Sequence, residues 1–284
     1  MAAIDRWTLG ALACLGVMAM QPASASLVVF EVNGVNAAAI TPVRDSFRAA
    51  IGGGTVAGAN GSFGGQRREI NWDGVPDAFA DPNLLPANFF NLNSPRGVVF
   101  STPGTGFLVS ANAGQATPPL FGFANDFQTF SAQRLFTAVN SNITDVHFFA
   151  PGTSTAASTS AFGLVFTDVE VANLTRLQLF DEFNNLIFDR YALAGPNQGL
   201  SFLGAVADAG ERIARARITS GLNTIVANGV LGNPNDDVVV MDDFLFAEPL
   251  AATQLPEPAS LPLAVIALAA AVGLRGGLRR RSAA

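Results

Sequence analysis

The chain predicts an all-β fold, a two-sheet sandwich, and three observations carry that expectation. Short apolar runs alternate with clusters of Gly, Pro, Asn and Asp, the pattern of strands and tight turns. Only one segment carries helix start and stop signals. Phenylalanine supplies the core, with 23 Phe against one Tyr and two Trp, one of which falls in the leader. A ring without a polar handle belongs between sheets.

Taken in order, the helix is expected over Val43–Ile51, with Thr41 as N-cap, Pro42 at the first position and glycines at its end. Gly97–Ser101 and Phe107–Ala111 flank Thr102–Gly106 and read as a hairpin. Phe162–Val171 is a long strand. Leu177–Phe180 and Leu186–Tyr191 flank Asp181–Asn185, a second hairpin, and Ser201–Val206 with Ile213–Thr219 make a third. In that last strand Ala214, Ala216 and Ile218 face inward and leave Arg215 and Arg217 on the opposite face. Val238–Met241 and Phe244–Phe246 close the domain. Gly52–Gly65 and Pro151–Ser160 are low-complexity loops, and no fixed-period repeat is present.

Both ends carry address signals. Met1–Arg6 is a short basic region weakened by Asp5, Trp7–Met20 is apolar, and Ala23-Ser24-Ala25 is a signal-peptidase site. Residues 1–25 therefore read as a cleaved signal peptide, with Ser26 as the new N-terminus. Lipidation at Cys14 is the alternative, at the cost of an apolar region of only about seven residues. At the other end a 251–258 linker holds Pro256-Glu257-Pro258, which bars an incoming helix. The uncharged run Ala259–Leu274 follows, within a transmembrane segment assigned to 259–278. Its sixteen residues give about 24 Å of helix, just under the ~30 Å hydrocarbon core. Arg279, Arg280 and Arg281 in the 279–284 tail hold its end on the cytoplasmic side. A permanent C-terminal anchor is the plainer alternative.

This tail resembles the PEP-CTERM sorting signal of Gram-negative bacteria, on Pro256-Glu257-Pro258, the apolar stretch and Arg279-Arg280-Arg281. The resemblance covers about a tenth of the chain. It implies processing by an exosortase-type transpeptidase, transient residence in the inner membrane, and delivery to the cell surface or beyond. It also implies a host that makes extracellular polysaccharide. Phe162–Val169, Ser201–Gly204, Arg212–Arg215 and Val239–Phe244 are similar to an exported β-sandwich module found upstream of such tails. Met241-Asp242-Asp243-Phe244 resembles the last strand of galactose-binding-like jelly rolls. The expected architecture is thus a jelly-roll-like sandwich over 26–250, between a signal helix and a transmembrane helix.

Composition excludes several functions. Cys14 is the only cysteine, so the mature protein has no disulfide, thiolate metal site or cysteine nucleophile. All sixteen basic residues are arginine; Ser26–Leu255 holds 20 Asp and Glu against 11 Arg, a balance of −9. That charge argues against nucleic acid as a partner.

Four kinds of candidate site remain. In the jelly-roll arrangement the first and last strands meet, so a structural calcium joining Glu31 to Asp242 or Asp243 is one; solvated or hydrogen-bonded aspartates are the plainer account. Arg68, Trp72 and Asp73 form the densest polar and aromatic cluster, a ligand patch if Trp72 stacks on a sugar. Otherwise Trp72 is a core ring with Arg68 and Asp73 pairing beside it. His147, the only histidine, sits two residues after Asp145, as a triad or an alternating strand would place it. The carboxylate pairs Glu69 with Asp73 and Asp168 with Glu170 are the glycosidic candidates. The expected function is non-enzymatic: an adhesive or structural surface protein that holds exopolysaccharide. A secreted glycan-active hydrolase is the alternative.

Overall fold

The computed structural model describes residues 27–52, 58–208, 210–226, 230–233 and 236–252. The leader with Ala23 and Ala25, the Pro256–Pro258 element, the segment 259–278 and Arg279–Arg281 lie outside the described residues. No helix among the described residues is long and apolar enough to cross a membrane.

The chain opens with β1 (Leu27–Gly34), α1 (Ala37–Ile51), β2 (Arg67–Ile70) and the single turn α2 (Phe89–Leu92). The strands β3 (Val98–Ser101), β4 (Gly106–Val109), β5 (Phe136–Val139), β6 (Ile143–Phe148) and β7 (Ala161–Thr167) follow. After them come β8 (Arg176–Phe180), β9 (Leu186–Tyr191), β10 (Leu200–Ala207), β11 (Arg215–Thr219), β12 (Ile225–Val226), β13 (Val230–Leu231) and β14 (Val240–Ala247). One sheet runs β1-β10-β7-β14-β5-β12-β13, with β2 also on β14 and β4 on β5. The other runs β3-β6-β11-β8-β9. Between these strands the pairing is antiparallel apart from Ile225 beside Val139.

One core binds the two sheets. Phe162, Leu164 and Phe166 of β7, with Phe244 and Phe246 of β14, meet Val146, Phe148, Leu177, Leu179 and Ile218 of the second sheet. The expectation of a phenylalanine core is met. The first sheet is covered on its other face as well. Ile40 and Phe47 of α1 pack on Ala161, Val165, Phe202 and Leu245, while Phe121 and Phe127 pack on Leu108, Val139 and Val240. A sheet buried on both sides reads as continuous apolar runs, and β7 and β14 are buried at every position. By contrast β8 and β11 alternate, with Ala216 and Ile218 inward and Arg215 and Arg217 outward.

Several expectations need correction. The helix starts at Ala37, because Asn36 caps it: its side chain accepts from Ala39 N–H at 3.1 Å. Thr41 is then an interior residue whose hydroxyl donates to the Ala37 carbonyl at 2.7 Å, and Pro42 lies inside the helix. The β8–β9 hairpin is as expected. The other two hairpins are crossovers, since β3 and β4 belong to different sheets and so do β10 and β11. In a sandwich a short connection serves both purposes, and local pattern does not distinguish them. The closing segments are one strand, β14, whose register against β7 shifts between Met241 and Phe244. Asp242 and Asp243 occupy that bulge. The first and last strands do not meet: β10 and β7 stand between β1 and β14, a separation of about 14 Å at ~4.8 Å per strand.

Candidate functional site

Between α1 and β2, the cover over the first sheet leaves a cleft of about 480 Å³. Thr41, Arg44 and Arg48 come to its wall from successive turns of α1, a spacing that puts them on one helix face. β2 and the residues after it bring Glu69 and Asn71, the segment before β3 brings Arg96, and the β14 bulge brings Asp243. A second cavity of about 270 Å³ adjoins it, sharing Asn71 and Arg96.

The guanidiniums are held unequally. Arg48 Nη2 meets Glu69 Oε2 at 2.5 Å, and Arg67 Nε lies 2.7 Å from Glu69 Oε1, so Glu69 is engaged twice. Arg44 Nε lies 2.8 Å from Asp45 at the rim, its Nη1 is 4.0 Å from Asp243, and its guanidinium stands over the Phe130 ring. Burial lowers the Arg44 pKa, and the neighbouring Arg48 charge lowers it further, against the pull of Asp45, Asp243 and Glu69. Arg96 donates to the Glu69 carbonyl at 2.7 Å and lies over Phe90. No carboxylate among the described residues pairs with it. Burial, with the Arg68 charge behind it, pushes the Arg96 guanidinium down to about 10.

Behind the cleft wall the bulge makes a carboxyl pair. Asp242 and Asp243 are both buried. The Ser131 hydroxyl lies 3.1 Å from Asp242 Oδ1 and 2.6 Å from Asp243 Oδ1, and Phe130 N–H donates to Asp242 Oδ2 at 2.6 Å. Burial, then the Asp243 charge, raises the Asp242 pKa well above the ordinary carboxylate range; burial raises Asp243 too. Both carboxyls thus hold a proton more readily than a solvated carboxylate does. Two carboxyls in mutual hydrogen-bond contact are closer than the ~5–9.5 Å spanned by glycosidase pairs.

The residues singled out from the sequence are distributed differently. Trp72 is 1% exposed, stacked on Phe136 at 4.0 Å, with its indole N–H on the Asp242 carbonyl at 2.8 Å. It is a core ring, with no open face for a sugar. Arg68 is fully buried in an ion pair with Glu248, whose carboxylate also takes Phe63 N–H at 2.8 Å. Asp73 accepts Arg134 N–H at 3.1 Å instead of pairing with Arg68. Glu31 meets Arg190 of β9 at 2.5 Å, a bridge between the edge strands of the two sheets, far from Asp242 and Asp243. No group of three or more His, Cys, Asp or Glu among the described residues is arranged to hold a metal.

His147 Nε2 lies 2.9 Å from Ser101 Oγ on the outer face of the second sheet. Asp145 does not complete a triad. Its oxygens take Arg217 Nε and Nη2 at 2.9 and 2.8 Å and Arg215 Nη1 at 2.9 Å. Sequence reasoning missed Arg44, Arg48, Arg96 and Ser131. The 41, 44, 48 spacing was the one visible signal; Arg96 and Ser131 had none.

The chain matches no family model, and no curated protein is similar to it.

Proposed function

We propose that the chain is an exported protein of the cell surface or extracellular matrix that binds exopolysaccharide without turning it over. Its sandwich is jelly-roll-like, and signal peptidase and an exosortase-type transpeptidase process its ends. The observation that carries the binding role is the polar cleft between α1, β2 and the β14 bulge, with Arg44, Arg96 and Asn71 on its wall. Guanidinium and amide groups fixed on a scaffold suit sugar hydroxyls and ring substituents. The full-length protein, immobilised and offered a polysaccharide panel, is expected to retain at least one member; retention of none sinks the binding role. Intact mass from the native host tests the sorting role, where a C-terminus still carrying Arg281 leaves a plain membrane anchor.

A glycan-active hydrolase is the second reading, favoured by Asp243 and Glu69 both reaching the cleft wall. Release of reducing ends from a labelled polysaccharide, lost in Asp243→Asn, would replace binding with catalysis.

A further inference from the structure

Resting on that binding role, we propose that the cleft selects an anionic saccharide, one whose ring carboxylate is held between Arg96 and Arg44. The distribution of charge carries the inference. The domain has nearly twice as many carboxylates as arginines, yet this wall gathers Arg44, Arg48 and Arg96. Of the two carboxylates there, Glu69 lies within ion-pair distance of Arg48 and Arg67, with no hydrogen bond to its Oε1 among the described residues, and Asp243 receives a hydrogen bond from Ser131. Arg96 is left with one carbonyl and an aromatic face, and its buried Nε has no hydrogen-bond partner among the described residues.

A half-buried cation without a counter-ion is costly, and a ligand carboxylate relieves that cost through charge-assisted hydrogen bonds. Crowding of Arg44 by Arg48 and of Arg96 by Arg68 adds to the relief. A neutral glycan would leave these cations as they are. The adjoining cavity, entered past Asn71 and Arg96 and reaching Asn60 and Ser94, gives room for a second ring.

The test offers the full chain three probes of matched length: polygalacturonate, its methyl ester, and dextran. Polygalacturonate is expected to bind about tenfold or more tighter than the other two, and to weaken by a similar factor between low salt and about 0.5 M salt. Arg96→Gln and Arg44→Gln should each cost about tenfold in that affinity and lower any dextran binding by a clearly smaller factor. Equal binding of the acid and its methyl ester overturns the inference, and this comparison needs no variant to fold. Binding of dextran alone keeps the polysaccharide role and removes its anionic selectivity. Binding of none removes both.

Discussion

On the outer face of the first sheet, Phe47 of α1 rests where β7 and β10 both carry glycine; a Cβ on Gly204 would stand 2.9 Å from the Phe47 ring. On the outer face of the second sheet, Asp145 sits between Arg215 and Arg217, and Arg215 lies 3.8 Å over Phe180. One face is closed by shape, the other by charge. The consequence for function is that the covering helix creates seams. The arginine cleft opens along one side of α1, where Thr41, Arg44 and Arg48 line its wall, whereas the charged face presents a plane with its partners already matched.

The contrast is broken most severely at Phe47. Truncation to alanine removes a fully buried ring, and a loss of about 3–5 kcal/mol is expected in urea unfolding. Gly204→Ala acts on the same contact from below. The added methyl displaces the ring or the sheet, for about 1–3 kcal/mol. If Gly204→Ala proves neutral, the fit between helix and sheet is looser than these distances imply.

The next effect turns on carboxylates and pH. Asp168, at the end of β7, accepts Gln198 N–H at 2.9 Å and has Glu170, Asp237 and Asp126 nearby; burial first, then these charges, raise it to about 7. Asp237 is raised to about 6, by burial and Glu170. Between pH ~4 and 7 the native state thus holds protons that the unfolded chain has lost, so stability falls as pH rises through that window. Asp168→Asn keeps the acceptor and suits the left-handed backbone (φ 70°). It should raise the melting temperature at pH 8, leave it nearly unchanged at pH 4, and flatten the slope between.

Asp145 behaves in the opposite sense. Burial pushes it up, but the hydrogen bonds and charges of Arg217 and Arg215 prevail and hold it below the ordinary range. Its contribution is complete above pH ~4 and is lost as pH falls below that. Asp145→Asn should cost about 1–2 kcal/mol at pH 7 and progressively less in acid, read from unfolding curves at each pH. A constant cost across pH would mean that the charge of Asp145 contributes nothing.

What was legible in the sequence follows the same division. The second sheet declares itself locally: the alternation of Arg215 and Arg217 with Ala216 and Ile218 is visible, and so is the β8–β9 hairpin. The first sheet hides its neighbours, because strands buried on both faces carry no alternation to say which face meets which layer. Hence the crossovers after β3 and β10 read as hairpins. Pro42 suggested a helix start because it suits a first turn, yet Asn36 and the alanines after it supply an earlier one. Trp72 was ambiguous since its burial depends on Phe136 and Phe244, distant in sequence. The cleft was illegible for a related reason. Its arginines, Asn71 and Asp243 arrive from four separate segments, so beyond the pair on α1 no spacing links them.

The smallest effect is expected at the outer edge, where β1 and β9 are bridged by Glu31 and Arg190. Arg190 is 46% exposed, so water already solvates much of the pair, and Glu31→Gln should cost no more than about 1 kcal/mol. The same variant bears on calcium. Two strands separate Glu31 from the Asp242–Asp243 bulge, and the Arg190 guanidinium occupies both of its oxygens. Any calcium-dependent rise in melting temperature must therefore be the same in Glu31→Gln as in the parent protein. Loss of such a rise in the variant would require β1 to leave its place beside β10, and so would break the strand order on which the covered face depends.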